Sequence, residues 1–119
     1  MYLIAAEAEF NNGNPDSSAY YLNVIRTRAA IPGHEAAMQI TTSDVNLDFI
    51  LDERARELCG EQIRWFDLKR TGKLLSRIQA MNPDAAQYIQ SYHTVRPIPQ
   101  SEIDAVSNKD SFTQNPGYN

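Results

Sequence analysis

Leu47-Asp48-Phe49-Ile50-Leu51-Asp52-Glu53-Arg54-Ala55-Arg56-Glu57-Leu58-Cys59-Gly60 carries the clearest pattern in this chain. Leu47, Ile50, Leu51, Ala55 and Leu58 recur at steps of three or four, the spacing that lines one face of an α-helix with apolar side chains. Gly60 breaks the run. Ile63, Trp65, Phe66 and Leu68 then open a further helix that stops at Thr71-Gly72. The result is a helix–Gly–helix unit.

The same grammar appears upstream. Tyr2, Leu3, Ala6 and Phe10 recur at helical spacing, and Asn11-Asn12-Gly13-Asn14-Pro15-Asp16 interrupts them. Gly13 suits the left-handed residue that ends a helix, and Asn14-Pro15 suits the N-cap and first position of the next. A second helix is predicted from Pro15 to Ala29, with Ala19, Leu22, Val24, Ile25 and Ala29 available for its buried side. So short a connection forces the two helices antiparallel. The distance from Gly13 to Gly60 exceeds the tetratricopeptide period of about 34 residues, which points to paired units separated by an inserted loop. Residues 33–43 read as that loop. No Ser, Thr, Asp or Asn precedes Tyr2 as an N-cap, so we expect Met1 to fall inside a longer protein.

Downstream, Lys73 to Ile78 reads as a helical turn, and Asn82-Pro83 opens a helix predicted to run through Tyr92. Thr94 to Pro99 must be extended, because a residue that precedes proline is pushed out of the helical region. Gln100 to Val106 has room for one or two helical turns, and Gln114-Asn115-Pro116-Gly117-Tyr118 is turn chemistry. No convincing alternating strand is present. The expected fold is all-α, as antiparallel helix pairs with an irregular, extended C-terminal segment, in a single domain over residues 1–119.

Composition limits the functional classes. The chain has 119 residues, 42% hydrophobic and 22% charged, with net charge −4. It is long enough for a real core, and its longest apolar run, Met1 to Ala6, is far short of the roughly 20 residues a spanning helix needs. One cysteine excludes an intrachain disulfide and a multi-cysteine metal site. On the apolar stripe beside Leu58, Cys59 is expected to be a buried small hydrophobe. His34 and His93 lack ligand spacing, so no metal and no cofactor is expected.

Glu53, Glu57 and Glu61 stand at i, i+4 and i+8, a face that carries metal or acid–base chemistry in some helical bundles. Arg56 and Arg64 occupy the positions where such sites place histidines. The spacing instead favours a salt-bridge lattice, Asp52 to Arg56 and Glu57 to Arg54 or Arg64. Nothing supports an enzyme. Residues 52–77 hold seven bases against five acids, and a helix-turn-helix reading would make residues 62–71 the recognition helix. The acidic whole and Asp67 in the middle of the supposed reading face argue against a nucleic-acid partner. Tyr20, Tyr21, Tyr88, Tyr92 and Tyr118 have the chemistry to stack on sugars. Only Tyr88 and Tyr92 are expected to share a helix face, and no cluster is closer than Tyr20-Tyr21 or Trp65-Phe66.

The strings say more than the spacing. Leu51 to Glu61, then Arg64-Trp65-Phe66-Asp67-Leu68-Lys69-Arg70, closely resembles the signature of the SusD/RagB family. So do Arg96-Pro97-Ile98-Pro99, Glu102-Ile103 and Gln114 to Tyr118. Tyr2 to Ala8 and Leu22 to Ala29 look like the helix pair that precedes that signature. The resemblance implies a tetratricopeptide-like helical scaffold from the C-terminal portion of an outer-membrane lipoprotein. Such proteins capture glycans at the cell surface for polysaccharide utilization. They cap a SusC-like TonB-dependent transporter and pass it starch or other oligosaccharides. The lipid anchor would lie in the missing N-terminal part, since Cys59 is internal. The resemblance places sugar contacts mostly outside these motifs, so no ligand-binding residue is assigned. Glu53, Arg54, Glu57, Glu61, Arg64, Trp65, Asp67 and Arg70 then form a structural signature, with acids and arginines tying adjacent helices and Trp65 anchoring them. The alternative is a free-standing tetratricopeptide-like adaptor for a protein partner.

Overall fold

The computed structural model describes residues 1–108 and 111–118. They form helices and irregular segments with no strand among them, and they gather into two compact units, residues 1–64 and 65–119.

The first unit is built on α1 (Tyr2–Asn11) and α2 (Pro15–Ala29). Gly13, at φ +78°, ends α1 in a Schellman motif: its N–H reaches Phe10 O at 3.1 Å and the Asn14 N–H reaches Glu9 O at 2.9 Å. Asn14 stands at the N-cap position of α2, yet its side chain turns back to Glu9 (3.0 Å) and leaves the capping to Pro15 and the backbone. The two helices meet through small residues. The Ser18 hydroxyl donates to Ala6 O at 2.7 Å, and both residues are fully buried. Leu3, Ala19, Leu22, Ile25, Val45 and Ile50 complete the core.

Residues 33–43 are more ordered than their composition suggests. They contain one turn of helix, α3 (Glu35–Met38), and a 3-10 turn begins at Thr42. Side chains of α2 hold the segment down. Asn23 makes a reciprocal pair with the backbone of Ile40, both bonds 2.9 Å, and Arg26 Nε donates to Met38 O at 2.6 Å. The polar run 41–44 caps that turn, with the Asp44 carboxylate accepting from the Thr41 N–H and hydroxyl. Asn46 caps α4 (Leu47–Glu57) by accepting from the Phe49 N–H at 2.9 Å.

The second unit holds most of α5 (Arg64–Arg70), then α6 (Leu74–Met81), the single turn α7 (Pro83–Ala86) and α8 (Gln100–Ala105). Leu68 and Leu74 are buried. The helix expected over residues 83–92 is not continuous. Asn82 caps its start, but the imidazole Nδ1 of His93 takes the Gln90 N–H at 2.8 Å, and a new 3-10 turn, Ser91–Thr94, begins there. A side-chain acceptor that claims a backbone N–H competes with the helix for it. Tyr88 and Tyr92 therefore do not share a helix face.

The C-terminal segment folds back as a buckle. Gln114 pairs reciprocally with the backbone of Ile98 (2.7 and 2.8 Å), Asn115 Nδ2 donates to Arg96 O at 2.7 Å, and the Tyr118 hydroxyl donates to Val95 O at 2.8 Å. Gly117 lies flat against Tyr92: at φ +92°, a β-carbon there would sit 2.4 Å from Tyr92 Cγ. Gly117→Ala is expected to weaken the buckle by about 1–3 kcal/mol, the usual strain of a side chain forced into such a conformation. Exchange of the Ile98 amide, which donates to Gln114, should accelerate by roughly tenfold or more. Unchanged protection would show that the tail does not depend on this contact.

Candidate functional site

Of the signature residues in the first unit, Glu53 and Glu57 project from α4 to partners on α2. Glu53 is buried and accepts on one oxygen from Arg26 (2.8 Å) and from Arg56 (2.7 Å). Both guanidiniums lie over the Phe49 ring, at 5.4 and 6.0 Å, so an aromatic face supports the paired charges. Glu57 accepts on both oxygens from Arg28, at 2.6 and 2.5 Å. Arg64 donates to Leu51 O at 2.5 Å and lies 3.6 Å from Asp52. Arg54 is buried.

The lattice thus differs in its partners from the one read along α4 alone: Arg26 and Arg28, in the last turn of α2, reach Glu53 and Glu57. Glu61 does not extend the face. The helix stops at Glu57, and Glu61 stands exposed in the turn beyond. Cys59 is exposed too, contrary to the stripe reading, because it also falls past the helix end. In the second unit, Asp67 is buried and accepts from Arg70 Nε (3.1 Å) and Nη2 (2.9 Å), and Trp65 is half-buried. Asp67 is thus on the packed side of α5, not on an exposed reading face. No three of the described His, Cys, Asp and Glu side chains gather as a metal site.

Burial acts to raise the Glu53 pKa, but the hydrogen bonds and charges of Arg56 and Arg26 outweigh it and hold the carboxyl below its ordinary 4.5. Asp44 is held below its ordinary value by the Thr41 N–H and hydroxyl. For a carboxyl depressed by folding, the stabilising contribution is fully present above the unfolded value and fades as pH falls through the folded one. Stability should therefore decline as pH drops below about 4.5. Urea unfolding at pH 7, 5, 4 and 3 should show this loss, and Glu53→Gln should flatten part of it. A Glu53→Gln profile as steep as that of the native chain would contradict the assignment.

Two aromatic clusters each gain a member that sequence spacing did not show, Tyr2 beside the adjacent pair Tyr20-Tyr21 and Tyr118 beside Tyr92-His93. Tyr2 meets Tyr21 at 6.2 Å, and Tyr21 meets Tyr20 edge-on at 5.4 Å. A groove of about 430 Å³ beside them is lined by Tyr20, Asn23, Val24, Thr27 and Gln39. Its polar groups are largely engaged with one another: Asn23 holds Ile40, and Gln39 donates to the Thr27 hydroxyl. In the second unit Tyr92, His93 and Tyr118 pack together, Tyr92 and Tyr118 edge-on at 5.1 Å. Arg96 lies over Phe66 at 5.6 Å.

Ordered helix pairs, an arginine–carboxylate lattice and a C-terminal buckle coincide with the strings read in the sequence, and comparison with known proteins gives them a family. A sequence model of the SusD family matches residues 1–118. The chain belongs to the SusD family. Among its relatives, SusD-like protein P25 of Formosa agariphila is 34% identical over 108 residues, 87% of this chain and 20% of the relative. SusD-like protein P38 of the same organism is 35% identical over 88 residues, 70% of this chain and 17% of the relative. The chain thus spans about a fifth of the length of these SusD-like relatives. No solved structure matches it significantly. Its helical architecture fits the tetratricopeptide-like scaffold of the family. Among the described residues, no helix is long and apolar enough to cross a membrane.

Proposed function

We propose that these residues are helical scaffold within a cell-surface glycan-capture lipoprotein of the bacterial outer membrane. The protein would work with a SusC-like TonB-dependent transporter in oligosaccharide uptake, without catalysing a reaction. The family match over residues 1–118 carries this reading. The lipid anchor and the glycan platform are assigned to parts of the protein outside these residues.

The signature residues support a structural role. Glu53, Glu57 and Asp67 accept hydrogen bonds from arginines of this same chain, which engages carboxylate oxygens that a sugar would otherwise use. We assign Glu53, Arg54, Glu57, Arg64, Trp65, Asp67 and Arg70 to holding the helices in register, and leave out Glu61, which stands exposed in the turn beyond α4. The test is co-purification. The longer gene product that contains these residues, affinity-tagged and extracted from outer membranes with mild detergent, should bring down a TonB-dependent transporter at near-equal stoichiometry. Recovery without any outer-membrane β-barrel would overturn the transporter part of the proposal.

A further inference from the structure

We propose that the C-terminal buckle is a pH-sensitive clasp, closed on a neutral His93 and loosened when that imidazole takes a proton. His93 is half-buried, and its Nδ1 accepts the Gln90 N–H at 2.8 Å. A ring nitrogen that accepts a hydrogen bond carries no proton, so this bond exists only with the neutral imidazole, whose proton is on Nε2. Protonation turns Nδ1 into a second donor. Two N–H groups then face each other at a distance set for one bond, and the 3-10 turn Ser91–Thr94 loses the contact that starts it.

The tail is attached to that same turn. The Tyr92 ring lies against Gly117, and the Tyr118 ring meets Tyr92 edge-on at 5.1 Å and His93 at 6.1 Å. The Tyr118 hydroxyl donates to Val95 O at 2.8 Å, and Val95 closes the turn through its own N–H to Tyr92 O at 3.0 Å. The His93 ring is 4.2 Å from that of Tyr92, so it cannot swing away from Gln90 without disturbing a ring that bears the tail. The bonds of Asn115 to Arg96 O and of Gln114 to Ile98 lie directly beyond.

The surrounding charges do not favour a proton in the closed form. α6, which packs against the turn, carries one charged residue, Arg77. The tail 111–118 carries no charge, and its one titratable group is the Tyr118 phenol that donates to Val95 O. Arg96, three residues on, lies over Phe66, and Asp84 stands exposed in α7. Among the described residues no carboxylate pairs with His93. The faces of Tyr92 and Tyr118 attract an imidazolium, but neither returns an acceptor to the Gln90 N–H. The closed form therefore takes the neutral ring, whereas the open form takes either. Closure is fully favoured above the ordinary imidazole value of about 6.5 and weakens as pH falls through it, by up to about tenfold per pH unit.

The test is a nuclear magnetic resonance titration of the chain from about pH 8 to about pH 5, the range in which an ordinary imidazole changes charge. In the closed clasp, the Tyr92 ring current displaces the Gly117 α-protons. We expect that displacement to collapse with the same midpoint as the His93 ring signal. Protection of the Ile98 amide, taken against the unfolded-peptide rate at each pH, should fall roughly tenfold or more. His93→Gln supplies a neutral acceptor of the kind that serves in a capping box, and should hold Gly117 and Ile98 constant across the range. His34→Gln, at the other histidine, should titrate like the native chain. A His93 ring that titrates while Gly117 keeps its shift would overturn the proposal. So would a ring that stays neutral throughout, or a loss of Ile98 protection equally large in His93→Gln. If the glutamine fails to close the turn even at the upper pH, the native titration still decides, by whether the Gly117 and His93 midpoints coincide.

Discussion

Replacing Glu53 by alanine is expected to destabilise the chain by about 3–5 kcal/mol, the usual effect of removing one partner from a buried ion pair. The side chain is 7% exposed and that of Arg26 is 16% exposed, so neither has water to fall back on. Without Glu53, the Arg26 guanidinium retains its bond to Met38 O and its place over Phe49, but it loses the carboxylate that accepts its hydrogen bond. Met38 and Ile40 are held by Arg26 and Asn23 from α2, so the α3 segment should loosen together with the contact between α2 and α4. Glu53→Gln keeps an acceptor oxygen in place and should lose less. The outer pair gives the contrast. Arg28 is 66% exposed, and Arg28→Ala should change stability by less than about 1 kcal/mol. Urea unfolding of the three variants measures the ordering. A Glu53→Ala loss as small as that of Arg28→Ala would mean that the lattice is decoration on a core that holds without it.

Leu22→Ala is expected to lower stability by about 2–5 kcal/mol. Leu22 is fully buried in the cluster formed by Leu3, Ala6, Ala19, Ile25, Val45 and Ile50, where α1, α2 and α4 share one core. The hydrogen bond from the Ser18 hydroxyl to Ala6 O fixes the separation of α1 and α2, so the helices cannot close on the lost volume, and the cavity term adds to the transfer term. A domain of this size has about 5–15 kcal/mol in all. The urea midpoint should fall while the slope of the transition stays constant. A loss below about 1 kcal/mol would place Leu22 at a site that repacks freely and would contradict the tight α1–α2 contact.

What the sequence revealed and what it hid follow from the range of the interactions. Helix periods and punctuation are local, and so the bounds of α2 and the break at Gly13 were legible, as was the absence of strands among the described residues. The inserted segment was misread because its order is borrowed. Nothing within residues 33–43 predicts that Asn23 and Arg26 will pin it. The helix expected over 83–92 stops at Ala86, and the His93 imidazole that takes the Gln90 N–H starts a separate 3-10 turn beyond it, a bond the periodicity does not show. In the candidate site, the acids of α4 were legible as a lattice, but their partners were sought among near neighbours, whereas Arg26 and Arg28 arrive from α2. Their place in the last turn of that helix, one pair of arginines two residues apart, was the available signal. The buckle joins two strings that read separately as an extended run and a turn, and only three-dimensional closure sets Gly117 against Tyr92.

The scaffold claim is tested most directly by nuclear magnetic resonance titration of the 119-residue chain with a panel of oligosaccharides, beside calorimetry on the longer gene product. The longer protein is expected to bind at least one glycan, and the chain itself to show no saturable shift. A saturable shift centred on Tyr2, Tyr20 and Tyr21, or on Tyr92 and Tyr118, would contradict it and would place the glycan site within these residues.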